Sequence, residues 1–440
     1  MGAFCGFCLM AAIETSMAAD SLIWRAKENR VDVEVTDWTL NRLLTQISKA
    51  SGWKVFIEPG TTNTISAKFK NATTDDALRR LLGRIDFALE SSNGVTCLYI
   101  YRTTSSAATR LIDSGKKKEP KDYRIANELV VRLKKGSKVS IDELAKQVGA
   151  KVVGRDDALG IYRLQFTDED AAKNGRSILE KNENVAWVDS NYTVDQPSPV
   201  NSILSSSGNG LNIQNKDVNP CSPIVGLIDT AVQPQLEYTN YLLNQISVVG
   251  DVSIPTNTLT HGTGMLETML NAMSNSPSKI LPVVVYQNGE STTTYEVARG
   301  IVQAVNAGAN PINLSLGGTG DSAYLKQLIS DAHDQGVVFV AAAGNDGGTS
   351  PTYPAAWPGV VAVTASDSSG HVASYANSGS FVEAMVSGSS LVDLNGQLWQ
   401  MEGTSVSTAK VTGMIASQAA SGCVSSGSVV DQVVSSLPVK

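Results

Sequence analysis

Three residues of the types used in nucleophilic catalysis sit in short segments rich in small residues. Asp229 lies in Val225-Gly226-Leu227-Ile228-Asp229-Thr230, His261 opens His261-Gly262-Thr263-Gly264, and Ser405 lies in Gly403-Thr404-Ser405-Val406-Ser407. A serine hydroxyl is a poor nucleophile at neutral pH. It needs a base within hydrogen-bond reach, and the base needs a partner that orients it. A carboxylate, an imidazole and a hydroxyl make up such a set. Asp229 ends an apolar strand, where a carboxylate can be held partly buried beside an imidazole. His261 follows Leu259-Thr260 and begins a helix. Ser405 opens a helix predicted over 405–419, whose N-terminus favours developing negative charge, and Gly403 permits a tight approach.

The order Asp, His, Ser and these local sequences resemble the subtilisin-like serine proteases, the subtilases. The resemblance implies acyl transfer: Asp229 orients His261, and His261 takes the proton of Ser405 and later delivers it to the leaving amine. A fourth segment, Ala341-Ala342-Ala343-Gly344-Asn345-Asp346, resembles the one that holds the family's oxyanion donor. By that resemblance the side-chain amide of Asn345 and the backbone N–H of Ser405 bind the tetrahedral oxygen. Ser315-Leu316-Gly317-Gly318 resembles the segment that pairs with substrate as an extra strand. Ser315, Leu316 and Gly317, with Ala342, Ala343 and Gly344, would then line a roomy apolar pocket. The implied substrate is a polypeptide, and no cofactor or metal is expected. Four departures stand out. Glu267 replaces a usual glycine, where a carboxylate could crowd the packing or perturb His261. Gly264 replaces a common histidine, and Ala409 a proline. Asn271 to Lys279 is short and lacks acidic residues where the family has a calcium loop.

Residues 201–440 alternate short apolar runs with helical ones, which predicts an α/β domain with a mainly parallel sheet flanked by helices. The strands fall at Ile224 to Ile228, Ile280 to Tyr286, Ile312 to Leu316, Val337 to Ala342 and Val360 to Ala365. Helices follow at 262–271, 294–307, 322–335 and 405–419. Two small α+β domains precede it. In residues 123–196 the periodicity gives a β-α-β-β-α-β order, with Asn184 to Tyr192 just ahead of the catalytic domain. This resembles the inhibitory propeptide of subtilases and implies an intramolecular inhibitor; the alternative is a second accessory domain. Residues 22–103 give the same order. Val31, Val33 and Val35 alternate, Leu40, Leu43, Leu44 and Ile47 recur at helical spacing, and Thr73-Thr74-Asp75-Asp76 caps a second helix. Together with Gly52-Trp53-Lys54-Val55 and Ala77 to Leu82, the pattern resembles the short N-terminal domain of secretins and TonB-dependent receptors. That implies contact with an envelope protein; the alternative is a packing module without a partner. Residues 104–122, with the Lys116 to Lys121 run, read as a solvated linker.

Charge is unevenly divided. Residues 1–200 hold 29 Lys and Arg against 26 Asp and Glu, a net of +3, whereas residues 201–440 hold 6 against 16, a net of −10. A catalytic half so poor in basic residues excludes nucleic acid as its partner. No run of eighteen apolar residues predicts a membrane span. Ala3 to Ile13 and Ser16-Met17-Ala18-Ala19 read as the core and cleavage site of a signal peptide over 1–19, although the usual positive start is missing. Its removal takes Cys5 and Cys8. Cys97 then remains as the odd cysteine, and Cys221 and Cys423 either pair in an oxidising compartment or stand as two buried thiols. The reading is a secreted or periplasmic serine endopeptidase made as a zymogen. The alternative is a pseudoprotease that binds peptides or an envelope partner.

Overall fold

Two units divide the chain, Met1–Pro120 and Lys121–Lys440. The structure is a computed structural model. It describes residues 20–25, 28–58, 61, 63–92, 95–103, 108, 110–112, 123–195, 200–203, 217–273, 276–287 and 291–438. The signal-peptide expectation for 1–19 and the basic linker run at 116–121 lie outside these residues.

In the first unit β1 (Ser21–Arg25), β2 (Arg30–Thr39) and β4 (Thr64–Ala72) form an antiparallel sheet. Between β2 and β4 run α1 (Leu40–Ser51) and β3 (Lys54–Ile57); α2 (Thr74–Leu82), β5 (Asp86–Ser92), β6 (Val95–Tyr101) and β7 (Arg110–Leu111) follow. The second sheet has the order β5-β6-β3-β7. Both helices start at a threonine whose hydroxyl accepts a first-turn N–H, Thr39 for α1 and Thr73 for α2. The alternating valines of β2 and the leucine stripes of the two helices share one core. The six elements read from the sequence are present. Strands β1, β5 and β7 are additions, and all three lie at sheet edges.

The second unit begins with β8 (Arg124–Leu133), α3 (Ile141–Gln147), β9 (Lys151–Asp156), β10 (Ile161–Gln165), α4 (Glu169–Leu179) and β11 (Val185–Asp195). This is the β-α-β-β-α-β order expected for 123–196, folded as an antiparallel sheet in the order β11-β8-β10-β9. Ser140 and Glu143 close a reciprocal capping box on α3.

The chain continues through β12 (Val200–Ile203) into the large domain. Its elements are β13 (Ile224–Asp229), β14 (Ile246–Ser247), α5 (His261–Ala272), β15 (Lys279–Val284), β16 (Ser291–Thr293), α6 (Thr294–Asn306), β17 (Ala309–Leu314), α7 (Ala323–Asp334), β18 (Phe339–Ala342), β19 (Val360–Ser366), β20 (Ala384–Ser387), β21 (Ser389–Leu394), β22 (Gln397–Glu402), α8 (Thr404–Gly422) and α9 (Val430–Ser436). Seven strands form a parallel sheet in the order β14-β15-β13-β17-β18-β19-β20. All five expected strands lie in it. Helices cover both faces, so β13 is apolar up to Asp229: Val225 and Leu227 pack in the core with α5 and α8, Ile228 in the core with α6. The β21–β22 hairpin was not foreseen from sequence; its sheet also includes β12, far away in the chain.

Cys221 and Cys423 form a disulfide across 202 residues of sequence, with Cα atoms 5.1 Å apart. It ties the entry of the large domain to the C-terminal end of α8. Cys97 stays a thiol.

Candidate active site

The order of the sheet places the site. β15 and β17, both later in the chain, flank β13 on opposite sides, and ligands of such sheets bind at the C-terminal strand ends where the strand order reverses. Asp229 is the last residue of β13. His261 is the first residue of α5, whose preceding Thr260 caps the helix by accepting from the Thr263 N–H. The two side chains meet there. Nδ1 of His261 lies 2.8 and 2.9 Å from the two carboxylate oxygens of Asp229. Both residues are buried, and the Thr230 N–H adds a 2.7 Å bond to the same carboxylate. Thr230 also accepts the N–H of Gly262 through its hydroxyl at 2.8 Å. The strand end and the helix start are therefore fixed to each other by three bonds.

Ser405 sits in the first turn of α8, 1% exposed. Its Oγ and the Nε2 of His261 are both buried, and neither has a hydrogen-bond partner among the described residues. Apo catalytic bonds are often long and tighten only around substrate. The main chain of Ser405 is braced from the opposite side. The Ser315 hydroxyl donates to the Ser405 carbonyl at 3.1 Å, and Ser315 itself accepts from Asn313 Nδ2 at 2.9 Å. Thr412 of α8 closes the chain by donating to Asn313 Oδ1. The Ser315 side chain thus supports the main chain of Ser405.

Asn345 is oriented by its carbonyl oxygen, which accepts both the N–H and the hydroxyl of Thr404 at 2.9 Å. Its Nδ2 makes no hydrogen bond among the described residues and remains available as a donor beside Gly403. Gly344 adopts a positive φ of 103°, and a Cβ there would strike the Asn377 amide. Ala342, Ala343 and Leu316 are buried near this turn.

Glu267 does not touch His261. It is buried on α5 and turned toward the β21–β22 hairpin, where Asp393 N–H donates to it at 2.8 Å and Gln235 Nε2 at 3.4 Å. Burial pushes its carboxyl up to about 8. Gly264 leaves room for Met401 of β22: an added Cβ would collide with the Met401 sulfur. Ala409 is buried inside an unbroken α8. Of the short segment after α5, residues 274 and 275 lie outside the described residues. Among the described residues no group of three His, Cys, Asp or Glu could hold a metal ion.

The 123–195 domain lies against this site. Its β11 extends the sheet onto β16 of the large domain, and Asp195 pairs with Gly317 through two backbone bonds of 3.1 and 3.3 Å. Two side chains of β11 cap helices of the large domain. Asp189 accepts the Ser322 hydroxyl and the Tyr324 N–H at the start of α7, and Asn191 accepts the Thr294 hydroxyl and the Tyr295 N–H at the start of α6. Trp187 stacks on Tyr324 at 4.5 Å between ring centroids. The caps, the Ser315 brace and Thr230 were missed in the sequence; only the nearness of Thr230 to Asp229 offered a signal.

The model of the subtilase family matches residues 222–422, and that of the fervidolysin N-terminal prodomain matches residues 112–191. Thermitase of Thermoactinomyces vulgaris is 34% identical over 208 residues, 44% of this chain and 75% of thermitase. Fervidolysin of Fervidobacterium pennivorans, a keratinolytic enzyme related to subtilisin, superposes with a TM-score of 0.54 at 20% identity, over 67% of this chain and about half (54%) of its own. The epidermin leader peptide processing serine protease of Staphylococcus aureus gives 0.53 at 17% identity, over 70% of this chain and 92% of its own. At such identities these two structures share the fold.

Proposed function

This chain belongs to the subtilase family and is a serine endopeptidase with a prodomain, and from that premise we propose that Asp229, His261 and Ser405 are its triad and that it is made as a secreted or periplasmic zymogen. In this reading Ser405 Oγ attacks the peptide carbonyl while His261 Nε2 takes its proton. Asp229 holds the imidazole tautomer and stabilises its cation. Asn345 Nδ2 and the Ser405 N–H bind the oxyanion. His261 then protonates the leaving amine, and a water molecule, deprotonated the same way, releases the acyl group from Ser405. The observation that carries the reading is the buried Asp229–His261 pair, whose remaining ring nitrogen and the Ser405 hydroxyl both lack a partner among the described residues.

Residues 123–196 are the inhibitor, 201–440 the catalytic domain, 104–122 the linker and 1–19 the signal peptide. The pairing of Asp195 with Gly317 supports inhibition, since it fills the strand position that the family's substrates take. Export is supported by the Cys221–Cys423 bond, a feature of oxidising compartments. No helix among the described residues is long and apolar enough to cross a membrane. Residues 22–103, which fold as a unit with its own core, are assigned to docking on an envelope protein. A pull-down from envelope extracts that recovers nothing would count against that assignment.

The test is intact-mass analysis of the chain from residue 20 beside its Ser405→Ala twin. Self-processing predicts a cut between residues 193 and 210 in the first and none in the second. A whole wild-type chain whose Ser405 also resists fluorophosphonate would instead identify a pseudoprotease.

A further inference from the structure

Residues 201–440 hold only six Lys and Arg, and one of them, Lys410, sits half-buried on α8 five residues after Ser405. Its ammonium donates to two main-chain carbonyls, that of Ser387 at 3.0 Å and that of Ser389 at 2.6 Å. Ser387 ends β20 and Ser389 begins β21, so the one cation spans the bend made by Gly388 between them. An ammonium has three donors and no acceptor, and its bonds are about twice as strong as those between neutral groups. Burial lowers the Lys410 pKa from its ordinary value. The carboxylates on the adjoining strands are bonded elsewhere, Asp393 to the Gly396 N–H and Glu402 to the Gln400 amide.

The bend that Lys410 holds is tied to the residues before Ser405. The Gly388 carbonyl accepts the Gly403 N–H at 2.9 Å, while its own N–H donates to the Ser366 carbonyl at 3.0 Å. Ser389 faces Glu402 across the β21–β22 pair. Gly388 has no room to move aside, since a Cβ there would strike Ala365 and the Tyr375 hydroxyl. Ser407, three residues before Lys410 and on the same face of α8, adds a bond from its hydroxyl to the Val386 carbonyl at 3.0 Å. Gly403 leads into Thr404, whose N–H and hydroxyl orient Asn345, and then into Ser405. From Lys410 to Ser405 the path runs through one bend and one backbone bond, and the same path reaches Asn345.

We propose that Lys410 is a positioning residue for the acyl transfer: its ammonium fixes the bend at Gly388, and the bend sets Gly403, Thr404 and Ser405 in place against His261 and Asn345. The proposal rests on the protease reading above. Lys410 acts through the main chain and moves no proton in the reaction.

The experiment uses the chain from residue 20 after self-processing. Lys410→Gln loses the cation and its reach. It should lower kcat on a peptidyl nitroanilide roughly tenfold to a hundredfold, the scale of a misplacement of about 1 Å at a reacting group, with little change in KM. Fluorophosphonate labelling of Ser405 should slow in parallel, because it needs the same serine geometry without a bound peptide. Lys410→Arg keeps a cation with several donors and should recover most of the rate. Lys410→Ala should regain part of its kcat on addition of propylammonium and none on addition of tetramethylammonium, which has the charge but no N–H. Wild-type kcat and labelling in Lys410→Gln overturn the proposal while the protease reading stands. So does a loss that neither Lys410→Arg nor propylammonium reverses, since that marks a purely structural role. If Lys410→Gln does not fold, Lys410→Met, which keeps the apolar stem, takes its place with the same expected and overturning results. A folded Lys410→Ala chain that stays uncut supports the proposal if propylammonium restores the cut and counts against it otherwise. A wild-type chain that neither cleaves nor labels overturns the protease reading, and this proposal with it.

Discussion

The carboxylate of Glu267 accepts the backbone N–H of Asp393 at 2.8 Å, and this bond joins the helix that begins at His261 to the hairpin that leads into Ser405. His261 and Ser405 are thereby linked through a buried acid, with Gln235, Glu237 and Asp393 around it and no cation among its described partners.

That acid makes stability depend on pH. Burial raises the Glu267 carboxyl from 4.5 to about 8 in the folded protein, so the folded state holds a proton that the unfolded state has lost. Its contribution is fully present below the unfolded value and is lost as pH rises through about 8. Glu267→Gln keeps an acceptor for Asp393 and removes the titration. The melting temperature of wild type relative to this variant should fall between pH 5 and pH 9. A constant difference over that range would show that Glu267 titrates normally.

The oxyanion assignment predicts a selective kinetic loss. Asn345→Ala should lower kcat by about 10²–10³ with little change in KM, the scale that one such donor contributes in subtilisin. Because Asn345 also accepts from Thr404, melting of the variant must be followed in parallel. A loss confined to KM would place Asn345 in substrate binding instead.

Removing the helix caps should loosen the prodomain. Asp189→Ala leaves the Ser322 hydroxyl and the Tyr324 N–H without their acceptor, a cost of about 1–2 kcal/mol to the docked state. After self-processing, the variant should reach full activity sooner than wild type in a progress curve. An unchanged lag would mean that Trp187 and strand pairing alone set the release rate.

The disulfide should be worth much of the stability of the second unit. A closed loop of this length stabilises by about 5 kcal/mol in the chain-entropy view. Guanidinium unfolding of the Cys221→Ser, Cys423→Ser double variant should show a clearly lower midpoint. Equal midpoints would assign the stability to packing.

Ser315→Ala tests the brace behind Ser405. Loss of its bond to the Ser405 carbonyl should reduce kcat more than it changes KM, and Ser315→Thr, which restores a hydroxyl, should recover part of the rate.

The residues proposed for the chemistry stand out in the sequence because each lies in a short stretch whose neighbours have a local job. Asp229 needs an apolar strand behind it, His261 a capped helix start, and Ser405 a glycine before its helix. Positions that act across the fold left no such trace. Asp189 and Asn191 look like ordinary polar residues of a strand until α6 and α7 are set against them. Glu267 read as a hazard to His261, because sequence could not show that its carboxylate turns to the hairpin. The β12–β22 pairing joins segments about two hundred residues apart, beyond the reach of any periodicity.

The bond between Cys221 and Cys423 encloses Asp229, His261, Asn345 and Ser405 in one covalent ring. A protease is exposed to its own neighbours, and surface loops are where nicks fall. One nick anywhere between the two cysteines opens the ring but does not divide the molecule: both pieces remain attached and can hold their packed arrangement. Damage of this kind would be invisible on a non-reducing gel and plain on a reducing one.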